Sequence, residues 1–401
     1  MWFIYVGAGL VLLAFTGLYA RRRIAGALLH LGVGERPVRI VRWVIAWLLF
    51  GFPLLMVVSI VVSLLLGRAT LVRFDGLVAS WLLVFPFAWA VLVVLQSVPW
   101  LLAIDIAHLI VRRRRGPATA APVRTVAVLG VVALFAVYTP LRIIADRGEL
   151  RVRHHQVGVS SATAPRPFRI AFIADVQQDA HIDAERAREV YALVNESEPD
   201  VVLSAGDWIN TGPDHIISAA ASAAELKSRL GTFSVLGDHE HFAYFDRERS
   251  VAEVEQAMRT HGIAMLSNEV RWFDHHGKRI AVVFLNYNYI DKTDRATIES
   301  LVAGVADADY SIAVTHQLDP ALAWLLVNHV DLVLGGHTHG GQVNPVVGVT
   351  HVELARLETE FVDGRYDRGA TTIIITAGIG YSIVPFRYAS PGSVELIELT
   401  L

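Results

Sequence analysis

The 401-residue chain contains no cysteine. That excludes disulfides, thiolate catalysis and cysteine-ligated zinc. It leaves the compartment open, because cytoplasmic and exported proteins can both lack cysteine. Lysine is missing from positions 1–150, where fifteen arginines face only five acidic residues, so this stretch is about +10 in formal charge. The remainder holds 20 Lys+Arg and 33 Asp+Glu, about −13, which gives the overall −3. Charge as a whole is scarce, 18%, against roughly 25% in soluble domains, and 54% of residues are hydrophobic. No Walker loop, dinucleotide fingerprint, serine-nucleophile motif, internal repeat or low-complexity tract is present. The acidic half has no basic-aromatic patch, so no nucleic-acid partner is expected.

What the first half does have is long apolar runs. A spanning helix needs about 20 mostly apolar residues. Segments 2–20, 43–66, 77–104 and 126–141 meet or approach that, which predicts a transmembrane region over 1–147 with about four spans. Pro53, Pro86, Pro99 and Pro140 are tolerated there better than in soluble helices. The cluster Arg21–Arg23 follows the first run instead of preceding it, the mark of an uncleaved anchor and not of a signal peptide. Loops one (Arg21–Arg23, Arg36, Arg39, Arg42) and three (Arg112–Arg115, Arg124) are heavily basic. The second has Arg68 and Arg73 offset by Asp75. The positive-inside rule then puts loops one and three in the cytoplasm and everything after Leu141 on the outer side. Asp105 and His108 read as interfacial residues beside Arg112–Arg115. Trp43, Trp47, Trp81 and Trp100 read as interface markers or helix packing.

Residues 148–167, polar and with Pro165 and Pro167, read as a linker. From 168 to 401 short apolar runs alternate with amphipathic ones, the pattern of an α/β domain. Predicted strands are 168–174, 201–205, 233–236, 280–286, 311–315, 332–334, 371–377 and 394–399; predicted helices are 184–195, 215–229, 247–261 and 295–302. Polar residues gather where these strands end: Asp175; Gly206-Asp207; Gly237-Asp238-His239-Glu240; His316; and Gly335-Gly336-His337-Thr338-His339-Gly340-Gly341-Gln342. Ligands of α/β sheets bind beyond the carboxyl ends of strands. Carboxylate and imidazole donors without thiolate suit Mn, Zn or Fe. A single Gly-Asp is usually a turn, and a single His-x-His is more often structural than ligating. The ordered series carries the signal.

These residues resemble the calcineurin-like metallophosphoesterase family, whose pattern runs Asp-x-His, Gly-Asp, Gly-Asn-His-Asp/Glu, a lone His and Gly-His-x-His. The stretch GGHTHGGQ, with Gly378-Ile379-Gly380 and Pro385-Phe386-Arg387, looks like its membrane-associated bacterial branch. The resemblance covers about 166–401. It implies a four-layer α/β/β/α sandwich holding two divalent metals. Asp175, Gln177, Asp207 and His339 would hold the first metal, with Asp207 bridging. Asp238, His316 and His337 would complete the second, and His239 would meet the phosphoryl group or protonate the leaving oxygen. Two positions depart from the pattern. Asp238 stands for Asn and keeps an oxygen donor. Gln177 stands for His, a neutral and harder ligand that disfavours Zn and slightly favours Mn among Mn, Zn, Fe and Mg. Glutamine here also resembles the eukaryotic branch that removes ethanolamine phosphate from GPI anchors.

The expectation is a metal-dependent hydrolase of phosphomono- or phosphodiesters at the outer face of the membrane. Its partners would be the lipid bilayer and a phosphate ester, with a phospholipid or cell-envelope compound as candidate. The competing expectation is a weak or inactive membrane-anchored metal-binding scaffold, resting on Gln177. His154, His155, His275 and His276 read as exposed loop residues. His181, His241, His351, Tyr244, Asn286, Tyr381 and Arg387 are minor candidates for the pocket wall.

Overall fold

The computed structural model describes residues 2–65, 76–158 and 166–401. Leu66, Arg68, Arg73, Asp75 and Pro165 therefore lie outside the described residues. The chain divides into two units, residues 1–145 with 344–352, and residues 146–343 with 353–401.

The first unit is built of long helices: α1 (Trp2–His30), α2 (Glu35–Leu65), then α3 (Leu77–Ala79), a π-helical turn (Ser80–Val84) and α4 (Phe85–Arg115) in direct succession, and α5 (Pro117–Gly148). Among the described residues, three stretches are long and apolar enough to cross a membrane: Glu35–Val62, Leu77–Arg115 and Pro117–Gly148. The fourth long helix is α1, whose side chains before Gly7 lie outside the described residues. The helices overrun the expected spans. Arg21–Arg23, Arg36, Arg39, Arg42, Arg112–Arg115 and Arg124, expected in loops, are all helical. Arginine is a good helix former, and nothing in these stretches stops a helix where the apolar run ends. A 32-residue helix such as α5 measures about 48 Å at 1.5 Å per residue, well beyond the hydrocarbon layer. Leu13, Ala20, Leu49, Ala90, Val94 and Leu101 form the interior of this unit. Its outside is apolar too, with Phe15, Leu65, Val78, Val126 and Ile144 exposed. Trp43, Trp47, Trp81 and Trp100 are all exposed to some degree.

The second unit has two six-stranded sheets. Its strands, with the two of a short hairpin that belongs to the first unit, are numbered along the chain: β1 (Leu150–Gly158), β2 (Phe168–Ile173), β3 (Val201–Ser204), β4 (Thr232–Ser234), β5 (Ile263–Met265), β6 (Glu269–His275), β7 (Lys278–Leu285), β8 (Tyr310–Thr315), β9 (Leu332–Gly335), the hairpin β10 (Val346–Val347) and β11 (Thr350–His351), then β12 (Gly364–Arg368), β13 (Thr371–Ile375) and β14 (Gly392–Thr400). One sheet runs β1-β14-β2-β3-β4-β5 and the other β12-β13-β9-β8-β7-β6. In the first, β2 to β5 are parallel. In the second, β7, β8, β9 and β13 are parallel, with β6 and β12 antiparallel at the edges. Parallel neighbours put their carboxyl ends at the same edge, which brings the loops after β2, β3, β4, β8 and β9 together.

Three cores surround these sheets. Val190 and Val194 of α6 (Ala184–Glu196), Ala219 of α7 (Ile216–Ala223) and Val254 and Met258 of α8 (Arg247–Thr260) pack with Ala171 and Val202. Phe168, Ile170 and Phe172 of the first sheet share a second core with Ile280, Phe284, Ile312 and Leu334 of the other. Ile298 of α9 (Arg295–Ala303) and Leu322 of α10 (Pro320–Leu326) pack with Ala281, Val283 and Val333 in the third. Four of these helices, α6, α8, α9 and α10, begin at an aspartate whose carboxylate accepts the third residue's backbone N–H, namely Asp183, Asp246, Asp294 and Asp319. Asp is among the strongest N-cap residues for this reason.

The stretch expected as a linker is in part a strand. β1 lies parallel to β14 from Leu150↔Gly392 to Gly158↔Thr400. Its exposed, charged outer positions hid it, since an edge strand with one solvated face lacks an apolar run. Glu395 on β14 is fully buried; it accepts from Ser393 Oγ at 2.6 Å, and its ion-pair partners come from β1: His155 Nε2 at 2.7 Å and Arg153 Nη1 at 3.6 Å. Arg153 also forms a two-pronged pair with Asp363, at 2.6 and 2.8 Å. His154, His155 and His275 are therefore strand residues, not loop residues; His275 is buried and bonds the Arg166 carbonyl at 2.7 Å. Only His154 and His276 of that set are exposed. Removing one partner of a buried ion pair costs about 3–5 kcal/mol. A fragment starting at residue 160 should therefore unfold at clearly lower denaturant than one starting at residue 149, by intrinsic fluorescence. Equal midpoints would show that β1 is dispensable.

Candidate metal centre

Five of the seven expected ligands sit on a strained backbone. Asp175, Gln177, Asp207, His337 and His339 all have positive φ, between 46° and 72°. Non-glycine residues rarely adopt this region, and when they do they cluster at functional sites. Glycines make the crowding possible. A Cβ on Gly237 would sit 2.2 Å from Asp207 Oδ1. Glu240, fully buried, fastens the two turns. Its Oε2 accepts from the Gly237 N–H (2.7 Å) and the Asp207 N–H (3.0 Å), and its Oε1 from the Trp208 N–H (2.7 Å). Burial and the Asp207 charge push the Glu240 carboxyl up to about 7.

The side chains converge. Asp238 Oδ2 lies 2.9 Å from His337 Nδ1 and 3.3 Å from His316 Nε2. His316 Nε2 is 3.6 Å from Asp207 Oδ2. Asp175 receives the His337 N–H at 3.0 Å and lies 3.9 Å from His316. Two groups, Asp175–Asp207–His316 and Asp238–His316–His337, place their donor atoms within 4.8 Å of one another. Asp175, Gln177, Asp207, His316 and His339 are almost wholly buried.

Two observations test whether a cation suits this place. Gln177 donates its amide N–H to Asp207 Oδ2 at 3.1 Å, while its Oε1 is buried with no hydrogen-bond partner. His339 Nδ1 is likewise buried and unpartnered. Orphaned buried polar atoms are rare and ask for a reason. Here both are electron-pair donors on residues expected to ligate. His316 gives its Nδ1–H to the Ala205 carbonyl at 2.8 Å, which fixes the ring and leaves Nε2, on the side of the carboxylates, as the atom that would offer a lone pair to a cation once its proton leaves. The donor set is all oxygen and nitrogen, and it fits divalent ions of the Mn, Zn, Fe or Mg kind.

His239 stands beside the cluster. Its N–H donates to Asp207 Oδ1 at 2.7 Å, and its Nδ1–H to the Asn210 carbonyl at 2.5 Å. Nε2, 3.9 Å from Asp207 Oδ2, stays available, and the side chain is 13% exposed.

Two neighbours escaped the sequence reading. Glu358 Oε1 lies 3.1 Å from His337 Nε2, so a carboxylate orients that ring. Tyr289 gives its N–H to Asp238 Oδ1 at 2.7 Å and sets its ring 4.9 Å from that of His337. Glu358 follows a short 3₁₀ turn with no motif, and only the fold brings it near. Of the minor candidates, Arg387 is no wall residue. It is buried and its guanidinium donates to the carbonyls of His339, Ala377, Gly378, Gly380 and Ser390, pinning three loops. Tyr244 bonds Glu253, Asn286 bonds Asp291, Tyr381 is buried and His351 is exposed. His241 is buried one turn beyond Asp238, whose carbonyl accepts its backbone N–H, and His181 is half-buried.

Residues 168–341 match the sequence profile of the Calcineurin-like phosphoesterase family. The chain carries a calcineurin-like metallophosphoesterase domain and is a phosphoric ester hydrolase. It is 25% identical over 283 residues to an uncharacterized metallophosphoesterase of Campylobacter jejuni, covering 67% of this chain and 68% of that one. It is 24% identical to the uncharacterized metallophosphoesterase YkuE of Bacillus subtilis, over 58% of this chain and 79% of that protein. It is 27% identical to a "Transmembrane protein with metallophosphoesterase domain" of Danio rerio, of which it covers 53%, with 58% of this chain aligned. Among solved structures it is similar to a dimetal phosphatase from Danio rerio, 14% identical with a TM-score of 0.35, covering 54% of this chain and 88% of that one. Together with the apolar helices, the relatives mark this metallophosphoesterase as a membrane protein.

Burial disfavours a charged His337, but its hydrogen bonds to Asp238 and Glu358 outweigh that and push its pKa up to about 9. A cation must displace that proton, so metal affinity should rise with pH up to about 9, with proton release visible as buffer-dependent heat in titration calorimetry. In the metal-free protein the sign is the opposite. A raised pKa stabilises fully below the ordinary value of about 6.5, and this contribution is lost as pH rises through about 9. Gly237→Ala should abolish metal uptake in the same titration, since Asp207 would have to move.

Proposed function

We propose that this chain hydrolyses a phosphomono- or phosphodiester at the outer face of a membrane, using two divalent ions. The observation that carries the proposal is the pair of donor groups around Asp207 and His316, flanked by the two orphaned donors on Gln177 and His339. In this reading the three cores are those of a four-layer α/β/β/α sandwich, with the centre at the shared edge of its sheets. Asp175, Gln177, Asp207 and His339 would hold one ion, and Asp238, His316 and His337, with Asp207 shared between the two sets, would hold the other. Bound, the two cations would supply a nucleophilic water at neutral pH and neutralise charge on the phosphate.

The protein's own groups do the rest. Glu240 and Arg387 hold the loops in which ligands sit. Glu358 keeps the His337 ring in place. The Nδ1 of His239 is committed to Asn210, so Nε2 is the atom that holds or gives up a proton. It serves the leaving oxygen as the bond from that oxygen to phosphorus breaks. The acidic character of residues 151–401, about −13, would repel an anionic ester at a distance, and the cations reverse that sign locally. Extracytoplasmic placement rests on the arginine distribution, and a lipid or envelope ester on the long apolar helices. Mn is slightly favoured because Gln177 presents a neutral oxygen.

The test is hydrolysis of bis-p-nitrophenyl phosphate and p-nitrophenyl phosphate by the full chain in detergent, stripped of metal and then given Mn, Zn, Fe(II) or Mg. Turnover should require metal and fall to background in His337→Ala/His339→Ala. His239→Ala should lower kcat by about 10²–10⁴-fold while leaving metal binding in place. Gln177→His should shift the preferred metal toward Zn. Turnover without metal, or unchanged in the double variant, would overturn the proposal. Activity appearing only after Gln177→His would favour the inactive scaffold instead. A reporter fused after Leu401 reads the side of the membrane.

A further inference from the structure

The helical unit holds a second polar centre, remote in sequence from the ligand motifs. Asp105 on α4 is bound from two other helices. Arg23 on α1 reaches it at 2.5 Å, Tyr19 on α1 donates at 2.7 Å, and Arg124 on α5 clasps it through Nε at 3.0 Å and Nη2 at 2.7 Å. Asp105 is therefore an interhelical anchor. Next to it is a cavity of about 220 Å³, lined by Arg22, Arg23, His30, His108 and Arg124 among others. Three guanidinium groups face one carboxylate, so the cavity has a net positive charge before either histidine is counted. Arg22 is exposed and makes no ion pair among the described residues. The Nε of Arg23 is buried without an acceptor among the described residues. The Nδ1–H of His108 is taken by the Ala120 carbonyl at 3.2 Å, which leaves its Nε2.

We infer that this cavity binds the phosphate of an anionic phospholipid. Guanidinium groups match phosphate oxygens in geometry and charge. Basic pockets between membrane helices are sites for acidic lipid headgroups. The surroundings favour a lipid over a soluble phosphate. Ile106 and Leu109 on α4 and Val123 and Val126 on α5 flank the histidine and arginine positions and are 55–69% exposed, so acyl chains would meet apolar side chains. The Tyr19, Arg23 and Arg124 contacts already occupy the single carboxylate, which removes the repulsion that a phosphate would otherwise meet. The inference is independent of the hydrolytic reading, because it concerns binding to the helices alone.

The experiment is native mass spectrometry of the full chain released from detergent, with phosphatidylglycerol and phosphatidylcholine of identical acyl chains offered in competition. Phosphatidylglycerol should be retained in preference. Arg22→Gln should lower its retention about fivefold, His30→Gln should lower it as well, and Arg36→Gln, an exposed arginine not lining the cavity, should leave it unchanged. Arg22 and His30 hold no ion pair among the described residues, so both variants leave the Asp105 anchor intact. Equal retention of the two lipids would overturn the inference, as would equal loss in Arg36→Gln, which would mean diffuse surface charge. Displacement of the lipid by glycerol 3-phosphate at equal concentration would also overturn it, and would make the ligand a soluble phosphate ester.

Discussion

Asp175, Asp207, Asp238 and Glu240 are packed together with almost no access to water, and like charges at such spacing raise one another's energy steeply in a low dielectric. The carboxyl groups respond to this tension in different ways. Burial pushes Asp175 up to about 6 and, with the Asp207 charge, Glu240 up to about 7. At Asp238 the hydrogen bonds from His316 and His337 outweigh the burial penalty and hold the carboxyl well below the usual range. Without a cation, the two imidazoles carry the balancing charge. With one, they become ligands and the proton leaves. The same charge problem thus explains the convergence of the loops, the raised pKa of His337 and the choice of donors.

Holding such a cluster requires backbone that resists relaxation. The strained residues sit at the carboxyl ends of buried parallel strands, whose registers are fixed on both sides. Glu240 and Arg387 complete the restraint by opposite means. The carboxylate of one collects N–H groups and the guanidinium of the other collects carbonyls. Neither touches the substrate in our reading. Each converts loops that would otherwise be mobile into part of a rigid frame, which is what a preorganised site needs.

The helical unit solves a different charge problem. Its exterior is apolar and its interior mostly so, and a carboxylate in such surroundings is expensive unless fully partnered. Asp105 has three partners on two helices besides its own. Those contacts tie α1, α4 and α5 together and leave surplus positive charge beside them.

Some of this was legible in the sequence, and the reason is local. Apolar periodicity marked the long helices and the buried strands, since burial on both faces writes a continuous apolar run. The ligand residues were readable because each follows such a run and carries a metal-binding side chain. The spacing of GGHTHGGQ and its partners then pointed to the family. Other features depend on contacts between residues far apart in the chain, and no local pattern records those. β1 was read as linker because its edge position leaves one face polar, and its pairing partner is more than 200 residues away. The arginines expected in loops are helical because helices outrun the apolar stretch that reveals them. Glu358 and Tyr289 come near His337 only through the fold, and Asp105 finds its arginines only when three helices pack. Sequence determined which side chains could bind a metal and which segments could be buried. Tertiary structure alone decided which polar groups satisfy one another, because that depends on distance in space and not on order along the chain.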